Sequence, residues 1–415
     1  MRKEIAKPKM GFLVTHPIQY FSPLFREMGK TLSFNFQVYY CSDESLRGLK
    51  EPAGFGREIK WDIDLLGGYT GVFLKNVSPK NTIYNPIWGL INPGIFSAIR
   101  KEQFSLFIVH GWNFITCWLA FFACSVTGTR LGLRAENVFA HEARKAGVAQ
   151  FLKRSLLRLL FSRVDVFLAT GEGNAEFYKR FGVPERKILK LPYAVDNATL
   201  IPAVSKQRED RATFRNSLGF GKEDVVILFA GKLIDKKRPF DLLEAYEKIT
   251  SANKRLLFVG DGPLRQGLEA YSREKKISGV LISGFKNQTE LPAYYAAADI
   301  FVLPSGVGET WGLVVNEAMC AGLPVVVSDL VGCSPDLVEP GENGYIYKCG
   351  DVDQLAEKLG ALIMSPEARL RMGERSLRKI GFYSYGEDVR ILEGYLKSLP
   401  SRVGTEAVVA GGQTT

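Results

Sequence analysis

Short apolar runs alternate along the chain with longer stretches of helical periodicity. Residues 10–15 read as a buried strand and 20–30 as an amphipathic helix. A strand at 106–110 precedes an apolar helix at 114–126, and further strands are expected at 130–133, 164–170 and 187–191. Periodicity fades over the polar residues 197–211, which read as a link between domains. A second alternating series begins at Val225, with strands at 256–259, 280–283, 300–303, 324–327 and 344–347. Strands separated by helices predict parallel sheets covered on both faces, so two such series predict an α/β protein with two doubly wound domains. The ligand cleft then lies between them, at the carboxyl ends of the strands. A chain of 415 residues is too long for one typical core, which agrees with this division. The expected boundaries are 1–200 for the N-terminal domain and 201–380 for the C-terminal one. A helix over 381–399 is expected to return to the first domain. The tail 400–415, rich in glycine and threonine, is expected to be disordered.

Composition narrows the functional classes. Hydrophobic residues make up 46% and charged residues 24%, ordinary values for a soluble globular enzyme. Six cysteines form no CxxC pair and only three histidines exist. That argues against a disulfide framework or a zinc site, and a reducing, cytoplasmic setting is expected. The charged start leads to an apolar run that breaks at His16-Pro17, so no secretory signal is read. Residues 114–126 are too few to span a bilayer. The net charge of +10 is spread along the chain without a nucleic-acid motif, which favours an anionic substrate or an anionic lipid surface over nucleic acid. Solubility alone is the plain alternative. Residues 151–163 mix leucines with four basic residues: an interfacial helix on lipid, or a helix packed on the sheet with a solvated basic side.

Chemistry concentrates around Glu309 and Glu317. The strand before them stops at Pro304, and a turn punctuated by Gly306 and Gly308 leads into a helix. Eight positions are a little over two helical turns, so with Glu309 just ahead of the helix both carboxylates can face one cleft. The N–H groups of Trp311, Gly312, Leu313 and Val314 would be unpaired at the helix start, a site for a diphosphate. Carboxylates beside such a site suit sugar hydroxyls, and the combination describes a nucleotide-sugar pocket. After another strand, Lys232 and Lys237 are placed to neutralise a diphosphate leaving group, the plain alternative being a solvated basic loop. Gly260-Asp261-Gly262 lacks the third glycine spacing and the acidic residue of a dinucleotide fingerprint, so an NAD site is rejected.

With these residues in place, the chain resembles the retaining glycosyltransferases of family 4, which have the GT-B fold. The resemblance rests on Glu309, Trp311-Gly312 and Glu317, on Gly231, Lys232 and Lys237, and on further stretches between about 225 and 360. It implies two Rossmann-like domains facing across a cleft, with Glu309 holding sugar hydroxyls and Glu317 the ribose. Lys232 and Lys237 would stabilise the leaving diphosphate. Gly260 and Gly262 would line the cleft, Phe285 and Lys286 would meet the base with Leu291 beside them, and Gly308 would open the turn. Lys232 stands where the family has arginine, so a point charge replaces a bidentate fork. The glycine-rich turn common after the first strand is absent at Thr15-His16-Pro17. His110 matches a position where histidine is common, and Glu136 falls near the family's His-Asp pair by position alone. No metal or other cofactor is expected: Asp351-Val352-Asp353 reads as a helix start and Asp62-Ile63-Asp64 as an ordinary connection. The implied activity is transfer, with retention, of a hexose-type sugar from a UDP-sugar, or a GDP-sugar, to a glycan or lipid-linked acceptor in cell-surface glycan biosynthesis. Peripheral membrane association would accompany a lipid-linked acceptor. An epimerase of the same fold and an inactive GT-B-like subunit are the rival readings.

Overall fold

The computed structural model describes residues 7–31, 33–49, 58–138 and 148–400. In the first domain, in chain order, come β1 (Lys9–Val14), α1 (Phe21–Lys30), β2 (Asn35–Tyr40), α2 (Glu44–Arg47), β3 (Gly71–Phe73), α3 (Gly94–Glu102), β4 (Leu106–His110), α4 (Ile115–Thr127), β5 (Arg130–Ala135), α5 (Val148–Ser162), β6 (Val166–Ala169), α6 (Glu172–Arg180) and β7 (Ile188–Lys190). The sheet runs in the order β3-β2-β1-β4-β5-β6-β7, every pair parallel.

The second domain follows with α7 (Asn197–Glu209), α8 (Arg211–Ser217), β8 (Val225–Ala230), α9 (Pro239–Lys248), β9 (Lys254–Val259), α10 (Arg265–Glu274), β10 (Val280–Ile282), α11 (Leu291–Ala297), β11 (Ile300–Leu303), α12 (Leu313–Cys320), β12 (Val325–Ser328), α13 (Ser334–Leu337), β13 (Gly344–Tyr347), α14 (Val352–Met364) and α15 (Pro366–Ile380). Its parallel sheet has the order β10-β9-β8-β11-β12-β13. The central strands are apolar throughout, because helices cover both faces: all six residues of β8 are buried. Strand order reverses between β1 and β4 and again between β8 and β11, and crevices open beyond the carboxyl ends at both points.

The link expected over 197–211 is helical instead. Asp196 caps α7 by accepting a hydrogen bond from the Thr199 N–H at 3.1 Å, and Asn197 donates to the carbonyls of Ile380 and Tyr383. Pro202 lies inside the helix and only Asn197 and Val204 are buried, so no periodic stripe marks it in the sequence. Packing against α11 and α12 holds it, a tertiary cause. The chain therefore crosses between domains over 191–196. A last helix, α16 (Tyr385–Ser398), packs on α1 of the first domain. The tail beyond Pro400 lies outside the described residues. No described helix is long and apolar enough to cross a membrane.

Candidate functional site

Two cavities meet where the crevices face each other. One, of about 240 Å³, is lined from the first domain by Ile18, Tyr20, Phe21, Glu136 and Tyr193, and from the second by Lys237, Glu309 and the run Thr310 to Val314. The other, of about 270 Å³, lies within the first domain beyond β1, β4 and β5 and shares Ile18, Phe21 and Glu136 with the first.

On the second-domain side, Gly231 follows β8, and a single 3-10 turn, Asp235–Lys237, carries Lys237 back over it. The Lys237 stem lies 3.8 Å from where a Cβ on Gly231 would sit. Gly260 is forced by a closer approach: at φ +150°, an added Cβ would fall 1.8 Å from the Gly231 carbonyl oxygen. The 3-10 turn also braces the loop after β11, with Lys236 donating to the Gly308 carbonyl at 3.2 Å. Across this loop Lys237 Nζ meets Glu309 Oε2 at 2.5 Å, both side chains nearly buried at 12% and 9% exposure. Burial opposes ionisation of Glu309, but the Lys237 and Lys236 charges prevail and hold its carboxyl below the usual range. Lys232 goes the other way: burial, then Lys236 and Lys237, lowers its pKa. Gly312, at φ +99°, turns the chain into α12, whose first N–H groups at Leu313 and Val314 have no carbonyl four residues back and border the cavity.

Glu309 therefore lines the cavity, whereas Glu317 does not. Glu317 is 3% exposed; it accepts from Tyr295 Oη at 2.7 Å and, across the domain boundary, from Tyr20 Oη at 3.2 Å. Helix α12 begins only at Leu313, so the two acids do not share one helical face, and the shared exposure expected from their spacing is not met in this state. Burial raises the Glu317 carboxyl against the pull of these hydrogen bonds. Tyr20 is held in turn by Tyr385 of α16, which donates to its carbonyl at 2.8 Å.

On the first-domain side, the ends of β4 and β5 bring His110 and Glu136 together, with His110 Nε2 3.5 Å from Glu136 Oε1. Tyr193 donates a short hydrogen bond to the same oxygen, and Thr310 Oγ1 reaches Glu136 Oε2 at 3.5 Å from the opposite domain. The Glu136 side chain is 46% exposed. Desolvation against the cleft wall opposes its charge, yet His110, Tyr193 and Arg134 bring its pKa down to about 2. Arg134 is almost fully buried, its guanidinium 4.9 Å from the Tyr193 ring centre and 5.6 Å from that of Phe21. Burial lowers the pKa of neighbouring His16 to about 4, with help from His110.

The remaining predicted residues are scattered. Gly260 and Gly262 lie against the β8 turn, beside Gly231 and Leu233. Phe285, Lys286 and Leu291 sit at the β10–α11 corner and do not line the cavity; Lys286 lies 5.4 Å from the Tyr294 ring centre. Both Asp-x-Asp pairs are held by protein partners, Asp62 across the domain boundary. Asp351 caps α14, Asp62 accepts from the Thr289 N–H, and Asp64 accepts from the N–H groups of Leu66 and Gly67. Sequence reasoning missed Tyr20, Tyr193, Tyr295 and Asn316. The first two follow strand ends in a doubly wound domain, the one positional signal that marks them.

Residues 210–379 match the profile of a family described as "Glycosyl transferases group 1". A sulfoquinovosyl transferase of Arabidopsis thaliana is 29% identical over 238 residues, 56% of this chain and 44% of that protein. The N,N'-diacetylbacillosaminyl-diphospho-undecaprenol alpha-1,3-N-acetylgalactosaminyltransferase of Campylobacter jejuni is 27% identical over 261 residues, 63% of this chain and 67% of that one. The chain spans about half the length of the curated relatives it matches. Among solved structures, Anabaena HepE in complex with UDP and glucose superposes with a TM-score of 0.70 at 16% identity, covering 94% of this chain and 100% of its own. That likeness establishes the GT-B fold.

Proposed function

Because residues 210–379 match the group 1 glycosyl transferases, we propose that this chain moves a hexose-type sugar from a nucleotide sugar to a glycan or lipid-linked acceptor. The observation that carries the reading is the Lys237–Glu309 pair beside the open start of α12, at the wall of the cavity between the domains. A UDP-sugar is the favoured donor. Its diphosphate would lie on the Leu313 and Val314 N–H groups, with Lys237 and Lys232 opposing the charge that grows as the sugar bond breaks. Glu309, kept ionised by Lys237, would accept hydrogen bonds from the sugar hydroxyls. The acceptor would enter through the first-domain cavity, and its hydroxyl would attack on the face that the diphosphate leaves, with retention. The leaving phosphate would take the proton, and Lys232, Lys237 and the α12 N–H groups would offset its charge in place of a divalent metal. For Glu317 to receive ribose hydroxyls, Tyr20 has to give way.

A peripheral position on the inner face of a membrane accompanies this reading. Leu156 and Leu159 of α5 are 50% and 61% exposed beside Arg158 and Arg163, the arrangement an anionic lipid surface favours. Thermal-shift screening against a panel of nucleotide sugars, followed by measurement of nucleoside diphosphate release with EDTA present, tests the assignment. A stabilising UDP-sugar consumed in EDTA is the expected result. Free epimerised sugar nucleotide without acceptor would replace it with the epimerase reading, and silence across the panel would favour an inactive subunit.

A further inference from the structure

Tyr193 sits at the crossing between domains, buried at 5% exposure, and touches both halves of the site. Its hydroxyl donates to Glu136, and its ring lies 6.1 Å from that of Trp311. Its carbonyl accepts from Asn316 Nδ2 at 3.0 Å, and Asn316 Oδ1 accepts from the Trp311 indole at 2.8 Å. Trp311 belongs to the turn that presents the N–H groups of α12. A continuous set of directional contacts thus runs from the diphosphate-facing turn, through Asn316 and Tyr193, to the first-domain carboxylate.

We propose that Tyr193 is a positioning residue that fixes Glu136 at the junction of the two cavities and ties that placement to the turn opening α12. The inference rests on the transferase reading above. A carboxylate half exposed between two cavities has many rotamers, and one strong donor on a buried, stacked ring selects one of them. His110 from β4 approaches the same oxygen, while Arg134 from β5 lies behind the Tyr193 ring. Lys237 and Glu309 face Glu136 across the first cavity, and His16 lies beyond His110. Thr310 of the turn before α12 also reaches Glu136, at the long distance of 3.5 Å and on the other oxygen, whereas Tyr193 bonds both Glu136 and Asn316 of α12.

A double-mutant cycle tests the proposal. Tyr193→Phe keeps the ring and its stacking, so it removes the hydroxyl alone. With the donor found in the panel, Tyr193→Phe lowers kcat ~10-fold on the native background and less than ~2-fold on a Glu136→Gln background, with donor KM within ~2-fold throughout. Equal factors on both backgrounds, or an effect confined to KM, overturn it. The same cycle read by urea unfolding separates packing from positioning: coupling in stability with multiplying rate factors makes the contact structural only, which also overturns it. If no donor is turned over, the transferase reading fails by itself. The inference is then read from the carboxyl ¹³C titration of Glu136 in the substrate-free protein. A higher midpoint in Tyr193→Phe sustains it and an equal one overturns it.

Discussion

The two walls of the cleft are built differently. The second-domain wall comes from two short segments, 231–237 and 306–314, whose glycines and 3-10 turn bring backbone and charge into one place. Its key pair, Lys237–Glu309, is nearly buried and neutralises itself. The first-domain wall gathers single residues from four distant strand ends: Tyr20 after β1, His110 on β4, Glu136 after β5 and Tyr193 after β7. Its carboxylate is half exposed and held by hydrogen bonds. A wall made of local backbone suits a constant ligand part such as a diphosphate. A wall made of separate side chains can be altered one residue at a time, as acceptors vary.

Four experiments probe that contrast, in decreasing order of consequence. Lys237→Ala should reduce transfer ~100- to 1000-fold, the range for losing one preorganised charge stabiliser. It should also lower stability, because it leaves the nearly buried Glu309 without its partner. Steady-state rates with urea unfolding check both, and near-native turnover would remove the second-domain wall from the chemistry.

Glu309→Gln should cut turnover while leaving free nucleoside diphosphate binding nearly unchanged, since its proposed partner is the sugar. Glu317→Gln should instead weaken that binding by about 1–3 kcal/mol. Calorimetry with the bare nucleotide decides between them, and equal effects would end the division of roles. Tyr20→Phe should tighten the nucleotide at the same time, because Tyr20 no longer competes for Glu317.

On the first-domain wall, Glu136→Gln should lower kcat by about 10-fold with little change in donor KM. A rise in donor KM alone would move Glu136 from the acceptor side to the donor side.

The smallest effect concerns pH and has opposite signs on the two sides. Glu309 titrates below its unfolded value, so its contribution is present above about pH 4.3 and lost as pH falls through the folded pKa. Asp388 of α16, buried near Arg134, is pushed up to about 8 by burial. A raised acid stabilises fully below about pH 3.9, and its contribution is lost as pH rises through about 8. Melting temperatures between pH 6 and 9 should therefore fall less in Asp388→Asn than in the native chain. Parallel curves would mean that Asp388 titrates as in the unfolded chain.

The features legible in the amino-acid order are those that short-range pattern can encode. The apolar runs at 225–230 and 300–303 specify buried parallel strands, the glycines at 260 and 312 mark approaches that crowd out a Cβ, and Gly231 takes a positive φ. The order of Lys232, Lys237, Glu309 and Trp311 places the second-domain wall, since all four follow strands by a few residues. Helix α7 escaped because its stripe is weak and its cap is a single aspartate, so packing decides it. The burial of Glu317 escaped because its partner Tyr20 stands 297 positions away. Only the tertiary structure joined Tyr193 to Glu136 and to Asn316. Hydrogen bonds between residues more than 50 positions apart leave no period in the chain: the one to Glu136 needs the first sheet assembled, and the one to Asn316 needs the two domains closed on one another.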